Sequence, residues 1–215
     1  MLITGLPDRT KFDKIIPKNA FDKYLNTKEK GLFTDFIKRI TWTNKISTKT
    51  TNLKSKDIKE IQVFKIELKK SGEVVKILDL IDKSIPYHII FWVEFEGKAF
   101  VSTSSKHQHP TNPDNAVIDW TFKTDFFAIE NCNYKFDLKI SLDETYKTFC
   151  QCLTGDEGFK GKSISEIITQ EKGVEKLEKK IKLLKTKIKS CKQFNKKVEL
   201  NEELIFLQKE LKQST

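Results

Sequence analysis

EIQVFKIELKKSGEVVKILDLIDKSIPYHIIFWVEF, residues 60–95, decides the fold. Its opening, Ile61–Leu68, alternates and is rich in β-branched and aromatic residues (Ile61, Val63, Phe64, Ile66, Leu68), which predicts a half- or fully buried strand. Ser71-Gly72 interrupts it. Val74, Ile77, Leu78, Ile81 and Ile85 then recur at three- and four-residue spacing, a helical stripe that Pro86 ends. Tyr87–Phe95 is a second apolar run of strand length. Strand, helix and strand joined by short links predict a βαβ unit with parallel strands and a right-handed crossover.

Working outward, Glu96-Gly97 predicts a tight turn into Ala99–Ser104, an antiparallel hairpin. The polar SSKHQHPTNPDN reads as a loop, and Val117–Phe122 and Phe126–Ile129 as further strands. Ser141 with Glu144 three residues on resembles a capping box that opens a helix to Leu153. Upstream, Pro17 can open a short helix over Lys18–Tyr24. Thr27–Arg39 is predicted helical from Leu32, Phe33, Phe36, Ile37 and Ile40. ITWTNKI (40–46) reads as a strand and STKTTNLKSKD as a loop. Residues 1–153 are therefore expected to form an α/β (or α+β) domain with a mixed sheet. A hinge is expected at 154–163, and a helical coiled-coil tail at 164–215.

The chain has 215 residues, a net charge of +10 and 16 phenylalanines. There is enough apolar material for a core, and the charge points to anionic partners. Lysine-rich, AT-rich coding composition gives a blander source for that charge. Cys132, Cys150, Cys152 and Cys191 form no CxxC pair and no disulfide-framework spacing, so a reducing, cytoplasmic setting is expected. The N-terminus lacks the charged and apolar regions of a signal peptide, and YHIIFWVEF is too short for a membrane span.

In the tail, Val174, Leu177, Ile181, Leu184, Ile188 and Cys191 step by three and four, as a coiled-coil seam does. Val198 and Ile205 continue that phase, while Leu200, Leu204, Leu207 and Leu211 lie on another side. Such a helix is not stable alone, so something must cover it. Lys176, Lys182 and Lys189 flank the first half of the seam, and Glu199, Glu202, Glu203 and Glu210 make the second half acidic. That polarity favours antiparallel pairing, either as a hairpin turning near Lys192–Lys197 or between two chains. The absence of glycine or proline after Gly173 favours one continuous helix. Self-association, or docking on a partner's helix, is the expectation. Lys179, Lys180, Lys185, Lys187, Lys192, Lys196 and Lys197 on the outer face are candidates for nucleic-acid backbone contact, set against an ordinary solvated face.

Candidate chemistry is sparse. Glu67 and Lys69 make an E-x-K pair of the kind found in metal-dependent nucleases of the restriction-endonuclease type, with Asp57 or Glu60 as the further acid. The solvent side of an amphipathic strand explains the same pattern. A divalent metal would be needed only for that alternative, and no other cofactor or metal site is expected. His107 and His109 lack ligands at metal spacing. Cys150 and Cys152 are two apart on a predicted helix and face different ways. His88 reads as a core histidine. There is no GxxxxGK[ST], GxGxxG or GxSxG.

The early GLP with IIPKNAFDKYL, then EIQVFKIELKK, IDKSIPYHIIFWVEFEGKAFVSTSSK and the terminal KQFNKKVELNEEL resemble the bacterial domain-of-unknown-function 4391 family across nearly the whole chain. The resemblance implies no activity or catalytic residue. It implies the company of DNA helicases and DNA methyltransferases in restriction-like or antiviral defence gene sets. The expected function is a non-enzymatic accessory subunit of such an assembly. The alternatives are the Glu67/Lys69 nuclease and a non-specific nucleic-acid-binding protein.

Overall fold

The computed structural model describes residues 3–112, 115–155 and 161–214. Two compact units divide the chain, residues 1–155 and 156–215. The expected hinge falls largely on 156–160, outside the described residues.

The first unit is built on a seven-stranded mixed sheet. Its elements in order are β1 (Lys11–Ile16), α1 (Thr27–Phe36), β2 (Ile37–Ser47), α2 (Thr48–Thr51), β3 (Glu60–Leu68), α3 (Val74–Lys83), β4 (His88–Phe95), β5 (Lys98–Gln108), β6 (Ala116–Lys123), β7 (Phe127–Ala128) and α4 (Leu142–Thr154). The strands lie in the order β1-β2-β3-β4-β5-β6, with β7 beside the first residues of β5. The βαβ unit is present. β3 and β4 are parallel, with Phe64 opposite Phe91 and Ile66 opposite Val93, and the other pairs are antiparallel. β4 reads as an unbroken apolar run from Ile89 to Val93, all buried, as a strand covered on both faces does, whereas β3 interrupts its apolar residues with Gln62, Lys65 and Glu67. Glu96 and Gly97 both take positive φ (47° and 74°), as a two-residue hairpin turn between β4 and β5 requires.

Alternation divides the core. On one face Phe64, Ile66, Leu68, Ile89, Phe91 and Val93 pack with Phe33 of α1 and with Val74, Ile77, Leu78 and Ile81 of α3. Burying each such side chain stabilises the fold by roughly 1.5–3 kcal/mol relative to exposure. On the other face α4 supplies Tyr146, fully buried, whose hydroxyl lies 3.0 Å from Thr103 Oγ1 of β5. Ser141 caps α4, its side chain accepting from Glu144 N–H, and Gly155 ends it in the left-handed region.

Some expectations for the first unit change, among them the loop expected at 47–57, which opens with α2. β1 is a strand where irregular or helical chain was expected; it is an exposed edge with a bulge between Lys11 and Lys14, and its polar KFDK lacks an apolar signature. The helix expected to Arg39 stops at Phe36, and Ile37 and Ile40 belong to β2, opposite Leu68 and Ile66. Backbone pairing with β3 overrides their helical spacing. The short helix expected over Lys18–Tyr24 after Pro17 is present, as a 3-10 helix. β5 runs on to Gln108, so His107 lies in a strand paired with Val117 rather than in a loop.

The second unit comprises α5 (Ile164–Ser190) and α6 (Phe194–Ser214). The tail is two helices, not one continuous rod.

Candidate interaction surface

The side chains proposed for nuclease chemistry are not brought together. Glu67 alternates to the face opposite Ile66 and Leu68 and is engaged by Lys38 Nζ (3.6 Å) and Arg39 Nε (3.7 Å). Lys69 lies beyond the end of β3, and its Nζ donates to the Thr34 carbonyl of α1 at 2.7 Å. Glu60 opens the strand and is held by Lys45 (2.7 Å) and by the Gln62 amide. It stands roughly 23 Å along β3 from Glu67 at about 3.3 Å per residue. Beside Glu67, Lys65 pairs with Glu94 at 2.8 Å, and Trp92 Nε1 donates to the same carboxylate. These groups form a ladder of ion pairs on one end of the sheet.

The other singled-out residues also take local partners. His107 Nδ1 sits 3.1 Å from both Asp119 carboxylate oxygens, while His109 Nδ1 accepts from Thr111 N–H. Asp114 lies outside the described residues. Cys150 is buried and Cys152 exposed. Burial pushes the Cys150 thiol well up, which leaves it unreactive. His88 packs edge-on against Tyr146, and burial, followed by the nearby Lys106 charge, lowers its pKa to about 4. Among the described residues, no three His, Cys, Asp or Glu side chains converge as metal ligands.

What remains is the helical hairpin. Ser163 caps α5 with a full capping box to Glu166. At the far end Ser190 Oγ bonds back to the Thr186 and Lys187 carbonyls, Cys191 is extended (φ −73°, ψ 123°), and the chain reverses before Phe194. Leu177, Ile181, Leu184 and Ile188 of α5 then meet Leu200, Leu204, Leu207 and Leu211 of α6. Antiparallel pairing occurs as the charge pattern implied, but within one chain. A continuous helix would leave both stripes in water, and the reversal removes them together. The expected seam is corrected accordingly. Leu204 belongs to it, whereas Val198 and Ile205 are 43% and 54% exposed and lie outside it. Val174 and Cys191 are only partly buried.

Two surfaces of the hairpin remain open. Phe194, Val198 and Ile205 form a short apolar stripe on α6 turned away from the seam, with Lys209 on the same side, and Phe206 is also exposed. The second surface is basic. From Lys179 to Lys197 there are nine lysines and no acidic residue. Lys179, Lys180, Lys185, Lys187, Lys192, Lys196 and Lys197 are all exposed, and so are Lys182 and Lys189, which as seam-flanking residues had been set aside. Among the described residues, only Lys179 of these forms an ion pair, with Glu175 at 2.7 Å. No helix of the described residues is long and apolar enough to cross a membrane.

No curated protein and no solved structure matches the chain. Residues 4–211 match the family described as Domain of unknown function (DUF4391), a span that takes in the whole sheet, α5 and nearly all of α6. The chain thus belongs to that family.

Proposed function

We propose that this chain is a non-enzymatic interaction subunit that docks on a larger protein through the outer face of α6. The single observation behind the reading is the stripe Phe194, Val198 and Ile205, left exposed on a helix whose own seam is already closed. Its occupant is an amphipathic helix of a foreign subunit, with acidic residues flanking its apolar side, laid along α6 as a third helix. Two features favour that occupant over a second copy. Three side chains expose on the order of a few hundred Å², short of the roughly 800 Å² per partner of a stable interface, so a larger partner must extend the contact. α6 as a whole is balanced in charge, and Glu202 lies between Val198 and Ile205, but Lys209 and Lys212 give the C-terminal end of the stripe a positive edge that favours acidic residues on the counterpart. The company implied by the family resemblance, DNA helicases and methyltransferases of bacterial defence or DNA-processing sets, supplies the class of partner.

A photo-crosslinking residue at Ile205 of the full chain, expressed in its native host, tests this. The expected product joins α6 to an acid-flanked helix of a helicase or methyltransferase subunit, and Val198→Asp abolishes it. Crosslinks only to a second copy of the chain, or a product that survives Val198→Asp, would overturn the docking mode. Magnesium-dependent DNA nicking that Lys69→Ala abolishes would overturn the non-enzymatic assignment.

A further inference from the structure

We infer that the tip of the helical hairpin is a binding site for the phosphate backbone of duplex nucleic acid. The reversal at Cys191–Gln193 brings the last turns of α5 and the first turn of α6 to one end of the rod. Lys185, Lys187 and Lys189 arrive from α5, Lys192 from the connection, and Lys196 and Lys197 from α6. All six are exposed, and none has an ion-pair partner among the described residues.

Helix electrostatics divides these lysines into two kinds. Lys187 and Lys189 lie in the last turn of α5, where the negative end of the macrodipole favours cations, so they have a structural explanation. Lys196 and Lys197 have none. They lie at the start of α6, where the dipole disfavours positive charge, and that first turn holds no acidic residue to offset it. Positive charge is thus concentrated where the hairpin's own electrostatics opposes it, as suits a surface whose counter-charge comes from outside the chain.

The geometry selects among polyanions. On α5, Lys182, Lys185 and Lys189 follow at three- and four-residue spacing on one side of the helix, about 4.5–6 Å apart along the axis, with Lys187 on the other side; that row suits a strand bearing a charge every few ångströms. A lipid surface would require apolar groups inserted beside the lysines. Ile188 and Leu184 are instead turned into the seam; Phe194 is exposed at the tip, and the neighbouring exposed apolar side chains, Leu183 and Val198, lie a turn or more behind it. With a single aromatic residue there is no series of stacking platforms for single strands, so the contact is to the backbone and independent of sequence.

Fluorescence anisotropy of a labelled duplex with the full chain, between 50 and 200 mM salt, tests the site. Each engaged lysine contributes a slope of about −0.9 in log affinity against log salt. Replacing Lys192, Lys196 and Lys197 with Gln should flatten the slope by about 2–3 and weaken low-salt binding at least tenfold. The same substitutions should raise the melting temperature of the tail by relieving the charge at the start of α6. Replacing Lys28, Lys49 and Lys76, exposed lysines of the first unit, should change neither. Ile205→Ser, which disturbs the docking stripe about 12 Å along α6 from Lys197 and adds no charge, should leave duplex binding intact, so the two proposals fail separately. Binding that does not depend on salt, equal losses in the two triple variants, or tighter binding to vesicles of anionic phospholipid than to duplex would overturn the assignment.

Discussion

Lys106 Nζ lies 2.6 Å from Asp82 Oδ1, and both side chains are 1% exposed. The same ammonium donates to the Asp82 and Ile85 carbonyls at 2.8 Å each, so all three of its protons are used. One lysine from β5 thereby ties down the C-terminal end of α3. Burial lowers the pKa of Lys106 and raises that of Asp82, and their mutual attraction opposes both shifts.

Removing one partner leaves a buried charge uncompensated. Lys106→Met should lower stability by about 3–5 kcal/mol, read from the urea midpoint, and the double variant Lys106→Met/Asp82→Leu should regain much of that loss. A single variant within 1 kcal/mol of the parent would show that the pair contributes little.

His88 gives the fold a dependence on pH. Its folded pKa is about 4 against an ordinary 6.5, so the unfolded chain takes up the proton first. The resulting stability is fully present above pH 6.5, declines as pH falls towards 4, and is gone below. His88→Asn should flatten the stability profile across that window by roughly 3 kcal/mol relative to the parent. Parallel profiles for the two proteins would exclude a titrating role.

The hairpin seam and the outer stripe should respond differently to truncation. Leu184→Ala removes a side chain that is 5% exposed and should destabilise the tail by about 2 kcal/mol or more. Ile205→Ala should cost under about 0.5 kcal/mol. Thermal melts followed by circular dichroism compare them, and equal losses would contradict the packing described.

Gly5 has φ +84°, and a Cβ placed there would sit 2.6 Å from the Phe136 carbonyl oxygen, a backbone atom with nowhere to move. Thr4 and Lys135 bridge at the same place. Gly5→Ala should destabilise the first unit by more than about 1 kcal/mol, with loss of protection at the Phe136 amide in hydrogen exchange. Unchanged exchange would argue that the N-terminal segment is not held there.

The central βαβ unit was legible because β3 alternates, β4 is an unbroken apolar run and α3 bears a clean stripe, so local pattern and final packing agree. β1 was not, since an edge strand with exposed Phe12 and Ile15 has no buried face to impose alternation. The boundary at Phe36–Ile37 passes from helix directly into strand without a breaker residue, so periodicity alone ran past it. Asp143 shows a different limit. Its carboxylate accepts backbone N–H bonds from Lys56, Asp57 and Ile58 at 2.8–3.0 Å, tying α4 to the approach to β3. Partial burial would raise its pKa, but these bonds outweigh that and lower it. No local motif announces a contact across that much sequence. In the tail, the two stripes and the antiparallel charge pattern could be read directly. The reversal, one of two geometries the charge pattern allowed and there placed near Lys192–Lys197, falls at Cys191–Gln193; a continuous helix was favoured over it because the turn uses no glycine or proline and follows from the gain of closing one stripe on the other.

That closure makes the tail's folding a unimolecular event. Its helices should persist on dilution, because no second copy is needed to form them. Whatever binds the rod meets a surface already in shape and is spared most of the entropy of ordering a floppy segment.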